Sequence, residues 1–275
     1  MTPHVTFNDP PIDAVMPATA QTWMAVLFGA AALVALGFGA VVFVRRRDPI
    51  PLLIVLAGGL SFFLEPEFAV LSQKWYPRHG SWEIFTVYDR AFPVFQFLAA
   101  VAVVGGMTAY AYVLLGRDSR PAAVWRLFIV ESLILTVLEI APVAAGTSIW
   151  FGLHPTAAFD VPLWVPISKA ATSIGVAALI RVARPRLREP HRFLLIPLFP
   201  VVFAGLHAAV CWPVWVALGA RWGTVANLAA AFAVIGLSLL TVHVVDTGSA
   251  RYLQVDIRDR TDKHRRAQDL LNRTG

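Results

Sequence analysis

Charge is scarce in this chain, and lysine is scarcer. Only 15% of the 275 residues are charged, against 57% hydrophobic, where an ordinary soluble domain carries about 25% charged residues. Of the 23 basic residues, only Lys74, Lys169 and Lys263 are lysines. That bias toward arginine, with abundant Ala and Val, points to a GC-rich bacterial genome. The single cysteine, Cys211, excludes an internal disulfide. One cysteine and scattered histidines give no metal-ligand spacing, so neither a metal nor a cofactor is expected. No Gly-rich phosphate loop, GxSxG or HExxH is present, nor an aspartate-rich diphosphate motif. The residues before the first apolar block are neutral to acidic (Asp9, Asp13), so no cleavable leader is expected. The arginines sit in short links and in the C-terminal segment, so the formal charge of +6 is no nucleic-acid signature.

What the chain has is apolar residues in long blocks. About 20 such residues cross the hydrocarbon core of a bilayer. On that rule spans fall near 22–44, 50–71, 91–115, 122–148, 161–181, 193–217 and 223–246. The fold class is therefore all-α, a polytopic seven-helix bundle over residues 1–246 with a short basic tail at 247–275. No internal repeat and no second soluble domain is evident. Arg45–Arg47, Arg117, Arg120, Arg126, Arg181, Arg184, Arg186, Arg188, Arg192 and Arg251 all follow odd-numbered spans. Positive charge on the inner side then predicts an outside N-terminus and a cytoplasmic C-terminus. Trp75, Tyr76, Trp82, Trp150, Trp164, Trp215 and Trp222 fall near the outer ends, as an interfacial aromatic belt would.

An ionisable residue inside a span is costly and faces the protein interior or a wet cavity. Glu65, Glu67, Asp89, Arg90, Glu139, Lys169 and Asn227 concentrate toward the outer half, with His207 inside span six. Glu131 and Glu139 are eight residues apart, so they share one side of a helix about 12 Å apart. Two roles stand open for them: locking helices through Lys169 or Arg126, or working as acids. Pro66 removes a backbone donor and biases Glu65 away from helical geometry, placing its carboxyl where the helix kinks or ends. Among Phe62, Phe63 and Phe68 such a carboxyl could serve as a proton donor, or else sit at the water boundary. Asp89 and Arg90 read either as an ion pair closing a loop or as support for that acid. His207 reads as a satisfied core histidine or a base, and Cys211 as inert. Aromatic rings could stabilise a passing cation.

The stretch "LEPEFAVLSQKWYPRHGSWEIFTVYDRAFP" (64–93) resembles the spirocyclase AveC family of bacterial membrane proteins. The resemblance rests on Glu65-Pro66, Tyr76-Pro77, and Arg90 with Pro93. This chain has Ala69 where that family places a further acid, and Asp89 where it places glycine. Seven spans with an acid and many aromatics also resemble the small membrane-bound terpene cyclases of the drimentine type. There a glutamate of the second helix is the acid, which Glu65 matches in position; Asp246, at the opposite end of the bundle, does not match the carboxylate of the last helix.

The resemblance implies a bacterial cell-membrane cyclase that protonates an alkene or epoxide of a lipophilic, prenylated substrate. Glu65, Asp89 and Glu139 are the expected catalytic residues. Phe62, Phe63, Trp75, Tyr88, Phe95, Lys169 and His207 are expected to contact substrate. An AveC-like spiroketal cyclase or dehydratase would use the same machinery. A receptor or transporter is the non-enzymatic alternative; a retinal protein is disfavoured because span seven has no lysine. The expected partners are that substrate and the lipid bilayer, with no nucleic acid.

Overall fold

A computed structural model describes residues 9–116, 122–187 and 190–248. Arg117, Arg120, Arg188, Arg251 and the tail beyond Gly248 lie outside the described residues.

Seven helices are long and apolar enough to cross a membrane: Ala18–Arg46, Ile50–Leu71, Val94–Leu115, Ala123–Ala144, Trp164–Arg186, His191–Gly219 and Thr224–Gly248. They are called spans 1 to 7 below. The protein is thus an all-α, multi-pass membrane bundle, as the apolar blocks require. Span 2 coincides with its expected range. Span 3 begins three residues later than expected, because Arg90–Pro93 is a strand. The chain reverses between consecutive spans. Arg45, Arg46, Arg126, Arg181 and Arg184 consequently gather at one end, called here the arginine end. The loops 72–93 and 145–163 meet at the other.

Spans 2 and 3 are each interrupted. Pro66 has no N–H to give to the carbonyl of Phe62, four residues back. The chain answers with a 3-10 turn over Ser61–Leu64 and then restarts an α-helix at Glu65, with Pro66 in its first turn. Glu65 itself keeps helical geometry, φ −58° and ψ −35°. The expected bias away from helix is therefore absorbed upstream, in the 3-10 turn. Span 3 carries a π-helical segment, Ala100–Met107, opposite Gly58. The two backbones nearly touch there: a Cβ on Gly58 would lie 2.4 Å from the Gly105 backbone, and one on Gly105 2.6 Å from the Val55 carbonyl. Only glycine fits this crossing.

The loop end is built from short strands that hydropathy does not reveal. Strand β1 (Lys74–Trp75) pairs antiparallel with β4 (Ile149–Trp150), joining the two loops. Between them, β2 (Glu83–Val87) and β3 (Arg90–Pro93) form a hairpin. A second hairpin, β5 (Ala157–Ala158) with β6 (Val161–Pro162), leads into span 5. Both turn on two residues with positive φ, Tyr88-Asp89 and Phe159-Asp160, the backbone of a tight hairpin turn.

The expected aromatic belt is only partly a belt. Trp82 and Trp222 are exposed, but Trp75, Tyr76, Trp164 and Trp215 are buried. The strand pairing and the cavity described next draw those four rings inward.

Candidate functional site

A cavity of about 70 Å³ lies inside the loop end of the bundle. Phe28, Phe62, Phe68, Trp150, Trp164 and Phe203 form its apolar wall. Glu65, Lys74, Glu139, Lys169 and His207 supply its ionisable groups. With Gln96 and Val103 of span 3, six spans and both loops contribute.

Glu65 faces the cavity from the first turn after the 3-10 segment. Its Oε1 accepts a 2.6 Å hydrogen bond from the Tyr76 hydroxyl. Burial, then the nearby Glu65 carboxyl, pushes the Tyr76 hydroxyl well above its ordinary value. Tyr76 consequently keeps its proton and serves as a fixed donor. Glu67, two residues on, points the other way: it is exposed and accepts a 2.7 Å bond from the Tyr88 hydroxyl. Of the two acids flanking Pro66, only Glu65 belongs to the cavity.

Glu139 is clamped between two lysines. Its Oε2 accepts from Lys74 at 3.0 Å, and its Oε1 accepts from Lys169. Helix locking is therefore the observed part for Glu139, through Lys169 as anticipated and through Lys74 in addition. Lys74 is brought in by β1. Alternation along the strand turns Lys74 toward the cavity and Trp75 away from it. Lys74 also lies over the rings of Trp150 (5.0 Å) and Tyr76 (5.4 Å). The two lysines differ in access: the Lys74 side chain retains 5% of its surface and that of Lys169 25%.

His207 stacks on Phe203 and meets Phe68 and Trp215 edge-on. The Thr172 hydroxyl donates to the Ser168 carbonyl at 2.8 Å, and its oxygen lies 3.2 Å from His207 Nδ1. A hydroxyl has one proton to give, so Nδ1 is the donor in that pair and Nε2 carries the lone pair. Cys211, one helical turn on, lies 3.7 Å from Nε2.

Several expected site residues lie elsewhere. Asp89 is exposed at the hairpin turn and makes no ion pair with Arg90. Arg90, the next residue, turns inward. Its Nη1 donates to the carbonyls of Ala69 (3.0 Å) and Lys74 (2.7 Å), and its guanidinium lies over Trp75 and Phe151. It fastens β1 to the end of span 2. Phe63 is 59% exposed, because neighbours on a tight turn diverge by more than 90° and Phe62 already takes the inward direction. Tyr88 is exposed beside Glu67. Trp75 is buried behind Lys74, under Arg90. Phe95 is buried one layer back, against Phe28 and Tyr76. Asn227 is spent locally on the carbonyls of Trp222 and Gly223. Glu131 is buried, as expected of a helix face shared with Glu139, but it pairs with neither Lys169 nor Arg126. Its carboxyl lies beside the Ser173 hydroxyl instead, and neither oxygen makes a well-formed hydrogen bond.

The structure thus brings together Glu65, Glu139, Lys169, His207 and Phe62 from the expected set. It adds Lys74, Tyr76, Phe28 and the inward tryptophans. Phe68, expected beside Glu65, also lines the cavity, three residues on along the same helix face. The part played by Lys74 depends on a strand that the pattern of apolar blocks does not announce.

An aromatic ladder runs from the cavity to the outer surface between span 2 and the hairpin. Phe62 on the wall contacts Phe85 of β2 at 5.1 Å, and Phe85 stacks on the exposed Phe63 at 5.7 Å.

No protein-family model, no curated protein and no solved structure matches this chain. Among the described residues no cluster of three or more His, Cys, Asp or Glu could hold a metal ion.

Proposed function

We propose that the protein is a membrane-embedded cyclase that uses Glu65 as general acid on an alkene or epoxide of a lipophilic, prenylated substrate. The observation that carries this reading is the 2.6 Å hydrogen bond between Tyr76 and Glu65 at the wall of an aromatic-lined cavity. Tyr76 fixes the carboxyl, and the other carboxyl oxygen is left for the substrate. Glu65 delivers its proton to the alkene carbon or epoxide oxygen. The resulting cation is held by the ring faces of Phe62, Phe68 and Trp164. Loss of a proton to the ionised Glu65 or to His207 Nε2 closes the reaction. Glu139, already held by both lysines, orients the site rather than donating a proton. The resemblance of residues 64–93 to AveC-like proteins, and that of the seven spans with Glu65 in the second to small terpene cyclases, favours an acid role for Glu65. The cavity holds only a few water molecules' volume, so a prenyl chain needs it widened. The Phe62–Phe85–Phe63 ladder marks the lipid-facing side on which that widening would occur. In a bacterial membrane the positive-inside rule puts the cavity end outside.

The test is turnover in membranes supplied with prenylated indoles, quinones or diketopiperazines. Cyclised products from wild type and none from Glu65→Gln support the proposal. Undiminished turnover by Glu65→Gln removes the acid role.

A further inference from the structure

With both lysines charged, the charges of the cavity balance only when both carboxyls are ionised. Its wall carries two cations, Lys74 and Lys169, and two carboxyls, Glu65 and Glu139. Glu139 is already shared, one oxygen to each lysine. With Glu65 ionised the four formal charges cancel. With Glu65 carrying the proton that an acid role demands, one positive charge remains uncompensated. The surroundings cannot absorb it. Arg90, the nearest other charged side chain on β1 and β3, is a further cation, and it is committed to the carbonyls of Ala69 and Lys74. His207 engages Thr172. An unbalanced charge among aromatic walls is poorly solvated, so the acid-competent state calls for an anion from outside.

We infer that the cavity recognises a substrate through a singly charged anionic head, a carboxylate or an enolate, that pairs with Lys169. Two observations assign the contact to Lys169 rather than Lys74. Lys169 keeps 25% of its side-chain surface, against 5% for Lys74. Lys74 is enclosed by the rings of Tyr76 and Trp150. Lys169, like Lys74, is held by one oxygen of Glu139, so two of its three ammonium hydrogens remain, and they lie on the more open side for a ligand. Binding the anion restores neutrality with Glu65 protonated, so substrate binding itself loads the acid. The site matches one negative charge; a diphosphate would overcompensate it. This inference rests on the cyclase reading for the part played by Glu65, but its test reads binding alone.

The probes are a farnesylated benzoate and its neutral methyl ester, titrated against the full chain in nanodiscs at neutral pH. Quenching of tryptophan fluorescence reports occupancy, since Trp150 and Trp164 line the cavity. The free acid is expected to bind wild type about tenfold or more tightly than the ester, the effect of one ion pair in a partly buried site. Lys169→Met should abolish that preference, and saturable binding of the ester by the same variant shows that the cavity is intact. Lys169→Arg should retain the preference. Equal affinity for acid and ester in wild type, or a preference that survives Lys169→Met, overturns the inference. Product formation is scored separately. A preferred but uncyclised acid sinks the cyclase reading and leaves the anion site standing. Cyclisation of the ester with no preference for the acid does the reverse.

Discussion

Glu65 and Tyr76 are joined across the proline-broken end of span 2 by a 2.6 Å hydrogen bond, and among the described residues the Tyr76 hydroxyl meets no competing acceptor. The tyrosine therefore acts on one oxygen of the carboxyl and fixes the direction of the other. Tyr76→Phe keeps the ring packing against Phe92 and Phe95 and removes only that bond. Under the proposed chemistry Glu65→Gln should lower turnover about 100-fold or more, the scale of a lost general acid. Tyr76→Phe should lower it about tenfold, the scale of one hydrogen bond to a charged group. Product formation in membranes, normalised to folded protein, checks both. Equal losses would mean that Tyr76 does more than orient.

Glu139 is the hub of the ion cluster, and its loss should cost more than the loss of either lysine. Glu139→Gln strips both lysines of their direct partner and leaves the buried Lys74 ammonium unpaired, a cost of about 3–5 kcal/mol. Lys74→Met leaves Glu139 with Lys169 and buries a similar volume, so a smaller loss is expected. The double variant Lys74→Met with Glu139→Gln should recover part of what Glu139→Gln loses, because one stranded charge is gone. Reversible unfolding in mixed detergent micelles measures all three.

The spans were legible because a helix in lipid must satisfy its backbone internally and cover it with apolar side chains. Seven long apolar blocks leave little freedom, and span 2 was read to its ends. Glu65 stood out for the same reason, as a carboxyl beside a proline in such a block. The loop end was not legible in this way. Strands of two residues, such as Lys74–Trp75, show no alternation long enough to detect, yet that pair decides which side chain faces the cavity. The same pairing explains why Trp75 and Asp89 fell away from the site: one lies on the far side of its strand, the other on a hairpin turn. Phe62 and Phe63 could not both be inward, and the sequence does not say which one the 3-10 turn selects.

The crossing of spans 2 and 3 makes a sharper stability prediction. A Cβ at Gly105 would lie 2.6 Å from the Val55 carbonyl oxygen, with backbone rather than a yielding side chain in the way. Gly105→Ala must therefore push the helices apart or unwind the π segment. It should lose about 1–3 kcal/mol, the cost of overpacking. Gly37, in span 1, meets nothing within 4 Å. Gly37→Ala should be neutral or gain up to about 1 kcal/mol from helix propensity. Thermal unfolding in nanodiscs compares the pair, and similar losses in both would refute the close crossing.

Arg90 supports the site from behind, and the guanidinium shape is what it uses. One nitrogen reaches two carbonyls, Ala69 and Lys74, while the planar group lies over Trp75 and Phe151. A lysine cannot reproduce both. Arg90→Lys should release β1 from span 2, misplace Lys74 and expose the loop 72–93 to protease. Limited proteolysis should cut that loop several-fold faster than in wild type, and Asp89→Asn, at the exposed turn beside it, should leave the rate unchanged.

His154 gives the loop end a pH dependence whose sign is fixed. Burial in the loop 145–163 lowers its value from 6.5 to about 4, opposed by its bond to the Phe151 carbonyl. The ring packs against Trp150 and Trp164, so the folded loop prefers neutral imidazole and the unfolded chain binds the extra proton. The stabilisation is complete above pH 6.5, falls as pH drops toward 4, and is exhausted below that. Wild type should therefore lose thermal stability across that window by more than His154→Gln, whose side chain can still bond Phe151 but does not titrate. The two melting-temperature profiles should run parallel above neutral pH and converge as acid is added. Profiles that remain parallel from neutral pH to pH 4 would show that His154 is already solvated in the folded protein.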